Sequence, residues 1–228
     1  MTFRMRRRAF PRNPQATKER LLSTAERLFM AKGYDLARVD EIAAQAQVNK
    51  RMIYVYFTDK EGLYMAILDT SFSRMLTCLE AVAQDHGDPR NDAERLIRAY
   101  FQFLAEHPHF VRMVVWESLR YGRQAGRVLA RTYRASLEKL YAVFQRGVDQ
   151  GVLRSDLDVR KLAASVYGLC LSHFSQREFL NILSDKDSTS FEAREVALNH
   201  ILRLVFDGIE KRLPSPSPSP RVDNASRR

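Results

Sequence analysis

Apolar residues recur every third and fourth position along most of this chain, the spacing of one face of an α-helix. Leu21, Leu22, Ala25, Leu28 and Phe29 describe an amphipathic first helix beginning near Gln15, and Gly33 stands where its C-terminal cap belongs. Val39, Ile42, Ala43 and Ala46 mark one face of a short second helix, and Ile53 and Phe57 repeat the spacing beyond a turn. Thr58-Asp59-Lys60-Glu61 has capping-box spacing, in which Thr58 and Glu61 each satisfy a free backbone amide. It opens a fourth helix whose stripe runs through Leu63, Ile67, Phe72, Met75, Leu76, Leu79 and Val82 to the break at His86-Gly87-Asp88-Pro89. Helical period then continues over 91–107, 109–120, 124–150, 158–183 and 189–212, with no hairpin or alternating-strand signal. The expected fold is all-α.

Two short helices that share one core leave the second exposed. That helix carries Lys50, Arg51, Tyr54 and Tyr56, cations and phenols suited to phosphate oxygens and base edges in a major groove. Asn49 is a good N-cap for it and aims the helix's positive end, with Lys50 and Arg51, towards a duplex. The pattern predicts a three-helix helix-turn-helix DNA-binding domain over 15–60 and a helical domain over 61–212. A basic flexible arm, 1–14, contains Pro11 and Pro14 and lacks periodicity. The Ser/Pro repeat of 213–228 cannot form a helix and reads as a disordered tail.

With 228 residues, 45% of them apolar and 28% charged, the chain has the composition of a soluble globular protein with a real core. Its net charge of +10 is unevenly placed: residues 1–60 hold 13 Lys/Arg against 6 Asp/Glu, so about +7 lies beside the helix-turn-helix. That is the electrostatic footprint of a nucleic-acid binder, against the plainer reading of a solvated tail. No apolar run approaches the roughly 20 residues that cross a bilayer, and no apolar segment follows the N-terminal charges, so a cytoplasmic protein without a membrane partner is expected. Cys78 and Cys170, far apart and without a CxxC partner, read as buried small apolar residues. No nucleophile with its base and no phosphate loop is present, so the chain does not read as an enzyme. The nearest metal pattern, His107-x-His109 beside Glu106, straddles a helix break and does not earn a metal assignment; no cofactor is expected.

Residues 15–68 resemble the DNA-binding domain of tetracycline-repressor-like (TetR) regulators. The likeness is carried by Ala25, Leu28 and Phe29, Gly33-Tyr34, Val39-x-x-Ile42-Ala43 and above all Ile53-Tyr54-x-Tyr56-Phe57-x-x-Lys60-Glu61-x-Leu63. It implies that Lys50, Arg51, Met52 and Val55 face the groove floor, while Tyr54, Tyr56 and Lys60 bond phosphates. Three positions depart from the family pattern. Ala37-Arg38 replaces a Ser or Thr at the start of the second helix, leaving Arg38 to substitute through charge. Gln47 replaces a Gly, at a cost of roughly 1 kcal/mol if the residue is left-handed. Tyr56 replaces a His.

The resemblance also implies a homodimer and a small-molecule pocket. Leu162, Val166, Leu169 and Phe174, with Val196, Ile201, Val205 and Ile209, give stripes suited to a four-helix interface between two copies. The middle helices are dense in aromatics, and Tyr100, Phe103, His107, Trp116, Glu117, Tyr133 and His173 are the candidate ligand contacts. The expected activity is that of a dimeric transcriptional regulator, a repressor released from a palindromic operator by an apolar or aromatic effector. The alternatives are a non-specific DNA-packaging protein and a ligand-binding protein of the same fold without operator function.

Overall fold

The computed structural model describes residues 13–83, 87–120, 134–184 and 190–210. Helix α1 spans Pro14–Leu36 and starts where Pro14 needs no amide partner and the Asn13 side chain accepts from the Ala16 amide at 3.1 Å. Gly33, at φ +81°, ends its regular course as expected, and a further short turn carries the chain to Leu36. Two seven-residue helices follow, α2 (Val39–Gln45) and α3 (Arg51–Phe57), then the long α4 (Lys60–Val82). The remaining helices are α5 (Pro89–Glu106), α6 (Pro108–Arg120), α7 (Arg134–Asp149), α8 (Val159–Ser175), α9 (Arg177–Ser184) and α10 (Phe191–Ile209). Asp88, Asp158 and Ser190 cap α5, α8 and α10 by accepting first-turn amides. Among the described residues there is no strand, and no helix is long and apolar enough to cross a membrane.

Helices α1 to α3 close over Leu21, Ala25, Phe29, Ile42 and Ile53, and α4 completes that core with Leu63 and Tyr64. Farther along, α4 lends Met75, Leu76 and Leu79 to a second body of helices, so one rod is shared by both cores. At the centre of that second body lies α5, packed on α4, α6, α7, α8 and α10. Its Asp92 is fully buried and paired with Arg95 one turn on and with Arg146 of α7 at 2.9 Å.

Four expectations are corrected. The helix expected over 158–183 breaks at Gln176 into α8 and α9, and no Gly or Pro marks the spot. Thr58 does not cap α4. The cap is Asp59, whose carboxylate accepts from the Gly62 amide at 2.7 Å, while Thr58 sits at φ +71° in the tight turn before it. Cys78 is exposed, whereas Cys170 is buried and its thiol is pushed up to about 12 by burial. Finally, Val166, Ile201, Val205 and Ile209 turn inward and are buried within one chain. The large apolar residues left exposed on α8, α9 and α10 are Tyr167, Leu169, Phe179, Ile182, Phe191, Val196 and Leu204. Periodicity had located the helices; it had not told which side of each meets its own chain. The arm of 1–12 and the tail from 211 lie outside the described residues.

Removing the carboxylate of Asp92 would take away the buried partner of two guanidiniums whose side chains are 32% and 25% exposed. Asp92→Ala is expected to cost about 3 to 5 kcal/mol in urea unfolding; a loss under 1 kcal/mol would show that Arg95 and Arg146 find solvent instead.

Candidate nucleic-acid interface and ligand cavities

The turn between α2 and α3 closes through the Ala46 amide on Ile42, Gln47 on Ala44 and Val48 on Ala43. Gln47 is left-handed at φ +53°, in a region a side chain enters only at a cost. Asn49 then does the capping work expected of it, one residue ahead of the helix boundary: its Oδ1 accepts from the Arg51 amide at 2.9 Å. At the start of α2, Arg38 makes no side-chain cap, and Asp40 and Glu41 in the first turn compensate through the helix dipole.

Ile53 and Phe57 anchor α3 in the core. The opposite face therefore points outward. It carries Arg51, Tyr54 and Val55, at the one-turn spacing that puts them on a single ridge, with Tyr54 48% and Val55 56% exposed. Met52 and Tyr56 are half-buried against the core, and Tyr56 meets Phe57 edge to face at 6.2 Å. Lys50 is exposed, but its ammonium holds Asp40 of α2 at 2.7 Å, a bond that raises its pKa. Lys60 turns to the opposite corner, donating to the Asp35 carbonyl at 3.3 Å and lying 4.5 Å from the Tyr34 ring centre. Asp40 carried no signal of this pairing in the sequence.

The candidate ligand contacts do not converge on one place. Tyr100 lines a cavity of about 310 Å³ between α4, α5, α7 and α8, with Leu79, Leu140, Phe144 and Tyr167 among its walls. Its ring stacks on Tyr167 at 5.8 Å, its hydroxyl is buried with no hydrogen-bond partner, and burial drives its pKa upward. Trp116 and His173 share a different cavity of about 430 Å³ between α5, α6, α8, α9 and α10. Burial first, and then the charge of Arg194, holds His173 below its ordinary value. Phe103 and His107 stack on each other at 4.1 Å beside a small third cavity near α1. Glu117 is buried and borders none of the three. Tyr133 lies outside the described residues. Tyr167 and Arg194 were not anticipated, because nothing in their spacing separates a cavity wall from a packed core.

Trp116 also faces away from its cavity towards the helix-turn-helix. Its ring lies 3.7 Å from where a methyl group on Gly33 would stand, and it borders a crevice with Tyr34 and Tyr64. Those two tyrosines and Phe29 form a ring trio with centres 5.1 to 5.6 Å apart.

Gln47→Gly should raise stability by about 1 kcal/mol, read from the urea midpoint, by relieving the left-handed residue; a lower midpoint would mean the Gln47 side chain outweighs the strain. Tyr100→Phe deletes a hydroxyl that is buried without a partner, so the thermal midpoint should hold or rise, where a bonded hydroxyl would lose about 1 kcal/mol.

The family profile described as "Bacterial regulatory proteins, tetR family" matches residues 21–67, and that described as "Tetracyclin repressor-like, C-terminal domain" matches 89–205. The HTH-type transcriptional repressor NicS of Pseudomonas putida is 25% identical over 199 residues, 86% of this chain and 93% of that protein. The HTH-type transcriptional repressor SCO4008 of Streptomyces coelicolor is 35% identical over 111 residues, 49% of this chain and 54% of its own length. Among solved structures, SCO4942 from Streptomyces coelicolor superposes with a TM-score of 0.64 at 26% identity, covering 85% of this chain and 98% of its own. FadR from Bacillus subtilis, solved in complex with stearoyl-CoA, gives 0.68 at 19% identity, covering 84% and 99%.

Proposed function

The chain belongs to the tetR family of bacterial regulatory proteins, and we propose that it is a homodimeric repressor that holds a near-palindromic operator through α3 and leaves it when a small molecule fills its helical body. The observation that carries this reading is the two-faced α3, with Ile53 and Phe57 in the core and Arg51, Tyr54 and Val55 outward. Arg51 is the group able to read a guanine edge with two bonds, and Val55 packs on a thymine methyl. Asn49, Lys50, Tyr54, Tyr56 and Arg38 serve the phosphates around them, with Lys50 exchanging Asp40 for a phosphate on binding. Met52 is half-buried behind the reading face, and Lys60 is half-buried against Tyr34 and the Asp35 carbonyl, away from it.

The copies meet through α8 and α10. Leu169, Val196 and Leu204 are exposed, and Gly168 and Gly208 have no atom within 4 Å of where a Cβ would stand, so a second pair of helices can approach closely. A twofold pair of α3 helices then fits successive major-groove faces about 34 to 36 Å apart, or a multiple of that spacing. The effector enters the cavity that holds Tyr100, whose walls include Met75 and Leu79 of α4. Mainly apolar walls, with the Tyr100 hydroxyl unbonded and the Arg160 guanidinium already taken by Glu138, suit a hydrocarbon body carrying one acceptor oxygen. The fold relative FadR was solved with an acyl-CoA, a ligand that also joins a long hydrocarbon to a polar group. Occupancy biases α4, and with it the spacing of the two reading helices.

Selection of bound fragments from a random DNA pool, washed at about 0.15 M salt where non-specific binding is weak, tests the reading. A recovered palindrome is expected, with Arg51→Ala losing about 1 to 3 kcal/mol of affinity for it. An unenriched pool would favour DNA packaging or ligand binding alone. Leu204→Glu places a charge at the centre of the α8–α10 face, and sedimentation should report a folded monomer with little operator affinity; an intact dimer would move the interface elsewhere.

A further inference from the structure

We propose that the cavity between α5, α6, α8, α9 and α10 is a second ligand site, selective for an organic anion with an apolar, ring-bearing body. At about 430 Å³ it falls within the size range of small-molecule sites, and none of its lining residues borders the Tyr100 cavity. The two spaces differ in chemistry. Where the Tyr100 cavity is walled by hydrocarbon and tyrosine with one guanidinium, Arg160, that Glu138 holds at 2.7 Å, this one has three guanidinium side chains on three different helices: Arg112 of α6, Arg177 of α9 and Arg194 of α10.

Only one carboxylate, Glu178, borders the same space, and it takes Arg177 at 3.2 Å. Two cationic charges are left over. The Nε of Arg194 is buried with no hydrogen-bond partner, so an N–H that has given up water has nothing to donate to. A carboxylate is the group that meets a guanidinium with two parallel bonds and cancels its charge. Trp116 and Phe174 supply flat apolar wall. The His173 ring meets Phe101 and Phe174 at 5.3 and 4.9 Å and extends that wall, with burial first and Arg194 second disfavouring its charged form. Apolar faces at one side and a donor short of an acceptor at the other define an aryl or alkyl carboxylate.

This site goes beyond the proposed release mechanism, since occupancy can be measured without DNA. Trp116 is the chain's one tryptophan and lines this cavity as well as the crevice at Gly33, Tyr34 and Tyr64, so a change in its emission is assigned to this cavity by its loss in the Arg112 and Arg194 variants. The experiment titrates the full-length protein with 3-phenylpropanoate and, separately, with its uncharged amide. A saturable change in Trp116 emission is expected, with the carboxylate at least about tenfold tighter than the amide, the margin of a charge-assisted bond. Arg194→Met and, independently, Arg112→Met should each bring the carboxylate about tenfold closer to the amide, while Tyr100→Phe should leave its affinity unchanged. Equal affinity for acid and amide, binding by calorimetry with unchanged Trp116 emission, indifference of both arginine variants, or weakening by Tyr100→Phe would each overturn the proposal. An Arg194→Met chain whose ligand-free emission shifts is set aside in favour of Arg112→Met, which alters an exposed residue.

Discussion

The reading head is held on the rest of the molecule by a joint of aromatic rings. Phe29 and Tyr34 come from α1, Tyr64 from α4, and each ring touches the other two. Ring pairs of this kind contribute about 0.5 to 1.5 kcal/mol each beyond the area they bury. Only the two pairs made by Tyr64 cross from α1 to α4, so the joint gains about 1 to 3 kcal/mol from them, enough to favour one alignment and not so much that the alignment is immovable. Because α4 is also built into the second core through Met75, Leu76 and Leu79, its tilt is set by both bodies at once. Trp116 is a further contact between them, reaching from α6 to within ordinary van der Waals distance of a Cβ position on Gly33, where the φ of +81° and not a lack of space calls for glycine.

Much of this was legible in the sequence, and the reason is physical. Core positions of short helices are constrained to repeat at 3.6 residues, so Ile42, Ala43, Ile53 and Phe57 announce both helices and, by elimination, the outward face of α3. Backbone demands were legible too: Gly33 and Gln47 sit where a positive φ is required, and both have one. The Lys50–Asp40 pair was not, because exposed ions nine or ten residues apart have no pattern that sets them apart from solvated ones. Nor was the break at Gln176, which depends on what α9 packs against and not on a helix-breaking residue.

The cavities mark the sharper limit. Tyr100, Phe103, His107, Trp116 and His173 shared one description in the sequence, aromatic residues on middle helices, yet they line three separate spaces. A cavity is the volume that side chains fail to fill, and that failure is decided by helix angles and by residues far apart in the chain. Two of these cavities carry, in a residue of their wall, a buried polar atom with no hydrogen-bond partner. The Tyr100 hydroxyl and the Arg194 Nε are visible as such only once their neighbours are known.

These magnitudes bear on how a dimer of this kind would be switched. Driving a two-state equilibrium from one per cent to ninety-nine per cent takes about 5.5 kcal/mol of differential binding. Two equivalent sites in a symmetric dimer share that requirement, leaving somewhat under 3 kcal/mol each. One hydrogen bond gained by Tyr100 supplies about 1 kcal/mol, and two or three methylenes that fit one position of α4 better than the other, at about 0.8 kcal/mol apiece, supply the rest. That sum is of the same order as the ring trio at the joint. A ligand of modest size therefore has sufficient leverage on α4 if its contacts differ between the two positions, and one that binds both positions equally, however tightly, has none.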